Sequence, residues 1–219
     1  MSTIVLQEQV RIPGSVVDLP SFRAWAVSEE FPASGRFAYL DGEVWVDMSP
    51  EELFTHNRVK GEVAFAILAL LKRSRMGHWF HDRTLLSNAE AGLSTEPDGT
   101  FVSYDSLRDG RVSYLKSERG LMEVEGSPDI VLEVVSPSSV RKDTVVLRRL
   151  YWLAGVGEYW LVDARGKEPR FDLLRRGRSD WAPSRRRAGW LTSGILGKSV
   201  RLSVKPDELG YAEYTLEVR

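Results

Sequence analysis

The sequence predicts a mixed α/β fold, and three observations carry that prediction. The run SPDIVLEVVSPSS holds an apolar, β-branched segment over 129–135 that reads as a strand buried on both faces. A helical segment over 144–154 and a second apolar strand over 158–164 (EYWLVDA) follow it. A strand–helix–strand unit of this kind normally makes a right-handed parallel crossover. Upstream, FAYLDGEVWVDM reads as a hairpin, and a long helical stretch comes after it.

The elements are justified in turn. DLPSFRAWAVSEE (18–30) has helical spacing behind an Asp suited to cap it. FAYLDGEVWVDM (37–48) is two short strands around Asp-Gly, a strong hairpin signal. From Glu51 to Arg75, residues His56, Val59, Val63, Ile67 and Leu70 recur at helical spacing and share one face. HWFHDRTLL (78–86) reads as one strand, and 98–103 as another short one. Residues 105–126 are polar and read as a loop with at most a helical turn. SPSSVRKD (136–143) supplies turn and cap residues, and Gly155 suits a C-cap for the helix before it. RFDLLRRG, the Trp181–Trp190 segment and SVRLSV read as strands of a C-terminal β elaboration.

Composition narrows the function classes. The 219 residues, 42% hydrophobic and 10% aromatic, suffice for one packed domain. No apolar run approaches the roughly 20 residues of a membrane span. The N-terminal stretch MSTIVLQEQVRIPGS lacks the charged and apolar regions of a secretory signal. A cytoplasmic protein is therefore expected. The absence of cysteine excludes disulfides, thiolate zinc sites and cysteine nucleophiles.

The net charge of −1 argues against a generally basic nucleic-acid binder, but its distribution is uneven. Residues 1–136 carry 13 Lys/Arg against 21 Asp/Glu, whereas residues 137–190 carry 13 against 6. The basic segment is either a solvated face or a surface turned to a polyanion.

Three constellations bear on chemistry. Glu133 lies in the middle of the buried strand, where a carboxylate must be paired, protonated or bound to a cation. Asp98, in Pro97-Asp98, could share one hard divalent ion with it; a buried ion pair, or a Glu reaching the sheet edge, is the alternative. Asp129 and Glu133 are four apart, so on one strand they are separated by roughly 13 Å and cannot grip one ion. Asp129 is expected to cap the strand entry or hold a neighbouring loop. In the second constellation, Lys142 and Arg148 could point back over the strand end; otherwise Asp143 caps the helix and the cations are solvated. The third is His56, read as a hydrogen-bonded core histidine ahead of a catalyst. His78 and His81 have no metal-ligand spacing.

The run SPDIVLEVVSPSSVRKDTVVLRRLYWLAGVGEYWLVDARG, with FAYLDGEVWVDMSP, His56 and EPDGTFVS upstream and GILGKSVRL downstream, resembles the Uma-two-type family of bacterial restriction endonucleases, which have a PD-(D/E)XK nuclease-like fold. The resemblance covers most of residues 35–215. It implies a restriction-endonuclease-like core with a mixed central sheet flanked by helices. Residues 1–219 then form a single domain: an N-terminal extension (1–34), the core (35–165) and the C-terminal β elaboration (166–219).

The resemblance implies roles as well. Asp98 and Glu133 match the two acidic residues of the nuclease motif, and the carbonyl of Val134 would join them as ligands of Mg²⁺, with Mn²⁺ as a substitute. The sequence departs from the family pattern where a lysine belongs. Val135 occupies the motif position and Leu147 the alternative one on the following helix. Lys142 is the expected replacement, with Arg148 behind it.

The expected activity is hydrolysis of DNA phosphodiesters, possible for a homodimer that must cut two strands. The alternatives are a nuclease-like protein that binds DNA without cutting it, and an interaction module presenting Trp152, Trp160, Trp181 and Trp190.

Overall fold

The computed structural model describes residues 10–219. The reading of the N-terminus as lacking a secretory signal rests on residues 1–9 as well, which lie outside the described residues. Helix α1 (Leu19–Ala26) starts where its cap predicts. Asp18 accepts a hydrogen bond from the Ser21 N–H at 2.9 Å, and Ser21 Oγ accepts from the Asp18 N–H. Strands β1 (Arg36–Leu40) and β2 (Glu43–Asp47) turn at Asp41 and Gly42, whose φ angles of 54° and 89° are what a tight hairpin demands.

The long helix begins with a π-helical turn, Leu53–Arg58, and continues as α2 (Val59–Ser74). Glu52 caps the turn by accepting from the N–H groups of Phe54, Thr55 and His56. Val59, Val63 and Ile67 form the buried stripe, and Leu71 rather than Leu70 completes it at the next four-residue step.

The expected strand over 78–86 is two strands. β3 (Gly77–His81) ends at Asp82 and Arg83, both with positive φ, and β4 (Leu85–Asn88) enters a different sheet. β5 (Leu93–Thr95) follows, then β6 (Gly99–Ser103) and the short α3 (Tyr104–Arg108). The stretch expected as a loop, 105–126, folds largely as a hairpin of β7 (Val112–Ser117) and β8 (Gly120–Gly126). Its polarity arises because most of its side chains are exposed or half-buried, with Val112, Glu123 and Val124 turned inward.

β9 (Ile130–Val134) is buried along its whole length. A second π-helical turn, Lys142–Leu147, leads into α4 (Arg148–Leu153), and Gly155 with φ 77° follows it. β10 (Glu158–Asp163), β11 (Arg170–Arg176) and β12 (Trp181–Pro183) come next. β13 (Arg186–Arg187), β14 (Trp190–Ser193), β15 (Lys198–Pro206) and β16 (Ala212–Val218) complete the chain.

The strands form three sheets. The central one runs β12-β11-β10-β9-β6-β3 and is mixed: β10 is parallel to β9, and β6 is antiparallel to it. A second sheet runs β2-β1-β5-β4-β8-β7, and an antiparallel sheet of β13 to β16 forms the C-terminal elaboration. Alternation along β9 splits its side chains between two cores. Ile130, Leu132 and Val134 pack with Val63 and Ile67 of α2 and with Leu216 of β16. Val131 and Val135 join the core holding Leu150 and Tyr151 of α4. Glu133 shares parity with this second set and so faces the helix after its own strand. No helix among the described residues is long and apolar enough to cross a membrane.

Candidate active site

Asp98 immediately precedes β6, and Glu133 lies near the end of β9. Gly99 pairs with Leu132 across the antiparallel ladder, so the next rung falls beside Asp98. Its carboxylate takes over that rung: Oδ2 accepts from the Val134 N–H at 2.8 Å. The two acids therefore lie at one end of neighbouring strands. A cavity of about 560 Å³ opens there, lined by Arg36, His56, Asp98, Glu133, Lys142 and Asp143 among others. Val134 also lines it.

The two carboxylates have contrasting surroundings. Around Asp98, Arg36 Nη1 is at 3.2 Å from Oδ1, Lys60 Nζ at 3.6 Å from Oδ1 and His56 Nε2 at 3.5 Å from Oδ2. Burial pushes the Asp98 carboxyl up, but His56, Lys60 and the Val134 N–H outweigh it and hold it well below the usual range. Glu133 is only 2% exposed, and its Oε1 accepts from the Tyr151 hydroxyl at 2.5 Å. Burial raises its pKa well above the ordinary value; Lys142 opposes the shift, and Asp143 and Asp98 reinforce it.

Lys142 comes from the first residue of the second π-helical turn, and its Nζ is 3.4 Å from Asp143 Oδ1. Burial acts to neutralise this lysine, but Glu133, Asp143 and Asp98 prevail and raise its pKa. Asp143 lies inside the turn rather than ahead of it as a cap, and it accepts from the Ser139 hydroxyl. Burial lifts its carboxyl to about 6 against the pull of Lys142. Its Oδ1 is buried without a hydrogen-bond partner among the described residues.

Sequence reasoning missed a second group of cations. His56 is buried as expected, but its partners are Glu51, with Nδ1 to Oε1 at 2.6 Å, and Asp98. Lys60, one helical turn on, is buried with Nζ 2.7 Å from Glu51 Oε1, an approach at ion-pair distance without a directed hydrogen bond. The spacing of His56 and Lys60 at i and i+4, behind Glu51, was the available signal.

Other expectations fall elsewhere. Asp129 does hold a neighbouring loop: it accepts from the Ser103 N–H at 2.6 Å and the Ser106 hydroxyl at 2.8 Å, at the far end of β9. Arg148 is not among the residues around the cavity; its carbonyl instead accepts from the Trp181 indole at 2.6 Å. Val135 and Leu147, at the two missing-lysine positions, are fully buried apolar residues. Trp160 and Trp181 are buried, whereas Trp152 and Trp190 are half-buried beneath arginines. In the basic segment, Arg165 pairs with Asp163 and Arg149 with Asp41, while Arg175, Arg178, Arg185 and Arg187 remain exposed.

The donor set suits a hard cation. All the candidate ligands are oxygens, and the Glu133 end of the cavity has more carboxylate than nearby positive charge, with one buried Asp143 oxygen unsatisfied. No three His, Asp or Glu side chains among the described residues are clustered to hold a metal.

A solved structure titled as a "putative nuclease belonging to DUF820" from Anabaena variabilis shares the fold, with a TM-score of 0.55 at 16% identity. The match covers 74% of this chain and 83% of that one. No curated protein matches the sequence. The family model Uma2, described as "Putative restriction endonuclease", matches residues 19–205. With that match spanning most of the sequence, from α1 to β15, the chain belongs to the Uma2 family.

Proposed function

We propose that this protein is a divalent-metal-dependent endonuclease that hydrolyses phosphodiester bonds in DNA. The observation that carries the reading is the convergence of Asp98, Glu133 and Lys142 on one cavity at the ends of adjacent strands. Asp98, Glu133 and the Val134 carbonyl would hold Mg²⁺ or Mn²⁺, which supplies an activated water and neutralises charge on the phosphate. Lys142 faces the same space and compensates the negative charge of an incoming phosphate. Tyr151 holds one oxygen of Glu133 in place. Arg36 is the accessible cation on the Asp98 side.

The test is a calorimetric Mn²⁺ titration beside a DNA cleavage assay, each run on wild type and Glu133→Ala. Loss of both signals in a folded variant is expected. Cleavage that survives the substitution would remove Glu133 from the chemistry.

One observation favours a second reading, a DNA-binding protein that does not cut. Both oxygens of Asp98 are already engaged by side-chain cations and a backbone N–H, and neither missing-lysine position carries a charge. That protein would bind DNA with a steep salt dependence and without a divalent ion.

A further inference from the structure

A smaller cavity of about 150 Å³ adjoins the first. Arg36, Lys142, Asp47, Ser138 and Ser139 line both, so the smaller one is a side compartment of the candidate active site. Its remaining walls include Trp45, Thr95 and Glu96. Thr95 is 2% exposed. With the half-buried Trp45 and Glu96 it gives the compartment a hydroxyl, an indole and a carboxyl.

Size and chemistry narrow the ligand. A cavity of ~150 Å³ takes one six-membered aromatic ring. Trp45 adds an aromatic wall and carries Arg141 5.5 Å from its ring centre. Polar donors and acceptors beside an aromatic wall are how an extruded base is read, by hydrogen bonds to its edge and by stacking. Arg36 and Lys142 stand at the junction of the two spaces, where the phosphate attached to such a base would lie.

We infer that the side compartment receives one unpaired pyrimidine base of the substrate strand, next to a phosphate held between Arg36 and Lys142. The inference rests on the nuclease reading and gives it a substrate class: single-stranded DNA, or a duplex from which one base has been flipped. A purine, with its second ring, exceeds the compartment. A paired base cannot enter, because its edge is already occupied and its faces are stacked.

The test titrates the metal-free, full-length protein by calorimetry with dCMP, dAMP and deoxyribose 5-phosphate. We expect dCMP to bind about ten-fold more tightly than the sugar phosphate, the size of one base-stacking contact, and dAMP to show no such gain. Trp45→Ala and Thr95→Val should each remove the dCMP advantage while leaving Mn²⁺ binding unchanged. If one variant fails to fold, the other still decides. Equal binding of dCMP and sugar phosphate, no dCMP binding, or an advantage that survives both substitutions overturns the base compartment. The nuclease reading stands or falls separately, on the Glu133→Ala comparison.

Discussion

Asp98 is surrounded by three cationic side chains and a backbone N–H, whereas Glu133, on the neighbouring strand, meets a tyrosine hydroxyl, one lysine and two further acids. The difference has a pH signature. Asp143, raised to about 6 chiefly by burial, binds its proton more tightly folded than unfolded. Its contribution to stability is therefore complete below about pH 4 and is lost as pH rises through about 6. Asp98 has the opposite sign, and its contribution is lost only as pH falls below the ordinary carboxylate range. With a chelator present, the melting temperature of Asp143→Asn should decline less than that of wild type between pH 4 and 6. Parallel curves would mean that Asp143 is not the titrating group. Tyr151→Phe removes the single hydroxyl seen on Glu133, and Mn²⁺ affinity should fall about ten-fold, as for other outer partners of metal ligands. Calorimetry checks this directly.

Two π-helical turns supply the site: the first carries His56 and the second carries Lys142 and Asp143. Such turns are uncommon and often mark functional positions. Each widens a helix locally, so a 3.6-residue pattern drawn through it drifts. The sequence pattern over 144–154 reads as a plain helix because the second π-helical turn shows no signal of its own in the residue spacing. Strands with β-branched, two-sided burial, such as β9 and β10, were legible in sequence because nothing else fits their composition. β5 has only three residues, and β7 and β8 bury few side chains, so neither periodicity nor hydrophobicity announced them. At element scale Gly99 is constrained: an added Cβ would lie 2.3 Å from the Trp79 ring. Gly99→Ala should destabilise the protein by about 2 kcal/mol through this overpacking, measured by urea unfolding. It should also disturb Asp98, the residue beside it.

At the scale of the whole molecule, one buried acid ties the central sheet to the C-terminal one across their shared apolar core. Glu158 of β10, 2% exposed, accepts from Ser193 Oγ at 2.7 Å and Gly194 N–H at 2.7 Å in the turn between β14 and β15, and from the Trp160 indole at 3.0 Å. Glu158→Ala leaves these donors buried and unmatched, and should cost about 3 kcal/mol in urea unfolding while leaving the candidate site residues in place. At this scale the acidic pair was legible from the motif, because a carboxylate inside a buried strand demands a reason. The cations beside Asp98 were not. Arg36, His56 and Lys60 lie 38 or more positions before it, and only the pairing of distant elements brings them together. The rung between the Asp98 carboxylate and the Val134 N–H has one more consequence. That amide is a reporter: its proton resonance and its exchange with solvent deuterium register the state of a side chain on another strand. Any event that draws Asp98 toward a new partner would be visible as a change at residue 134, with no substrate present.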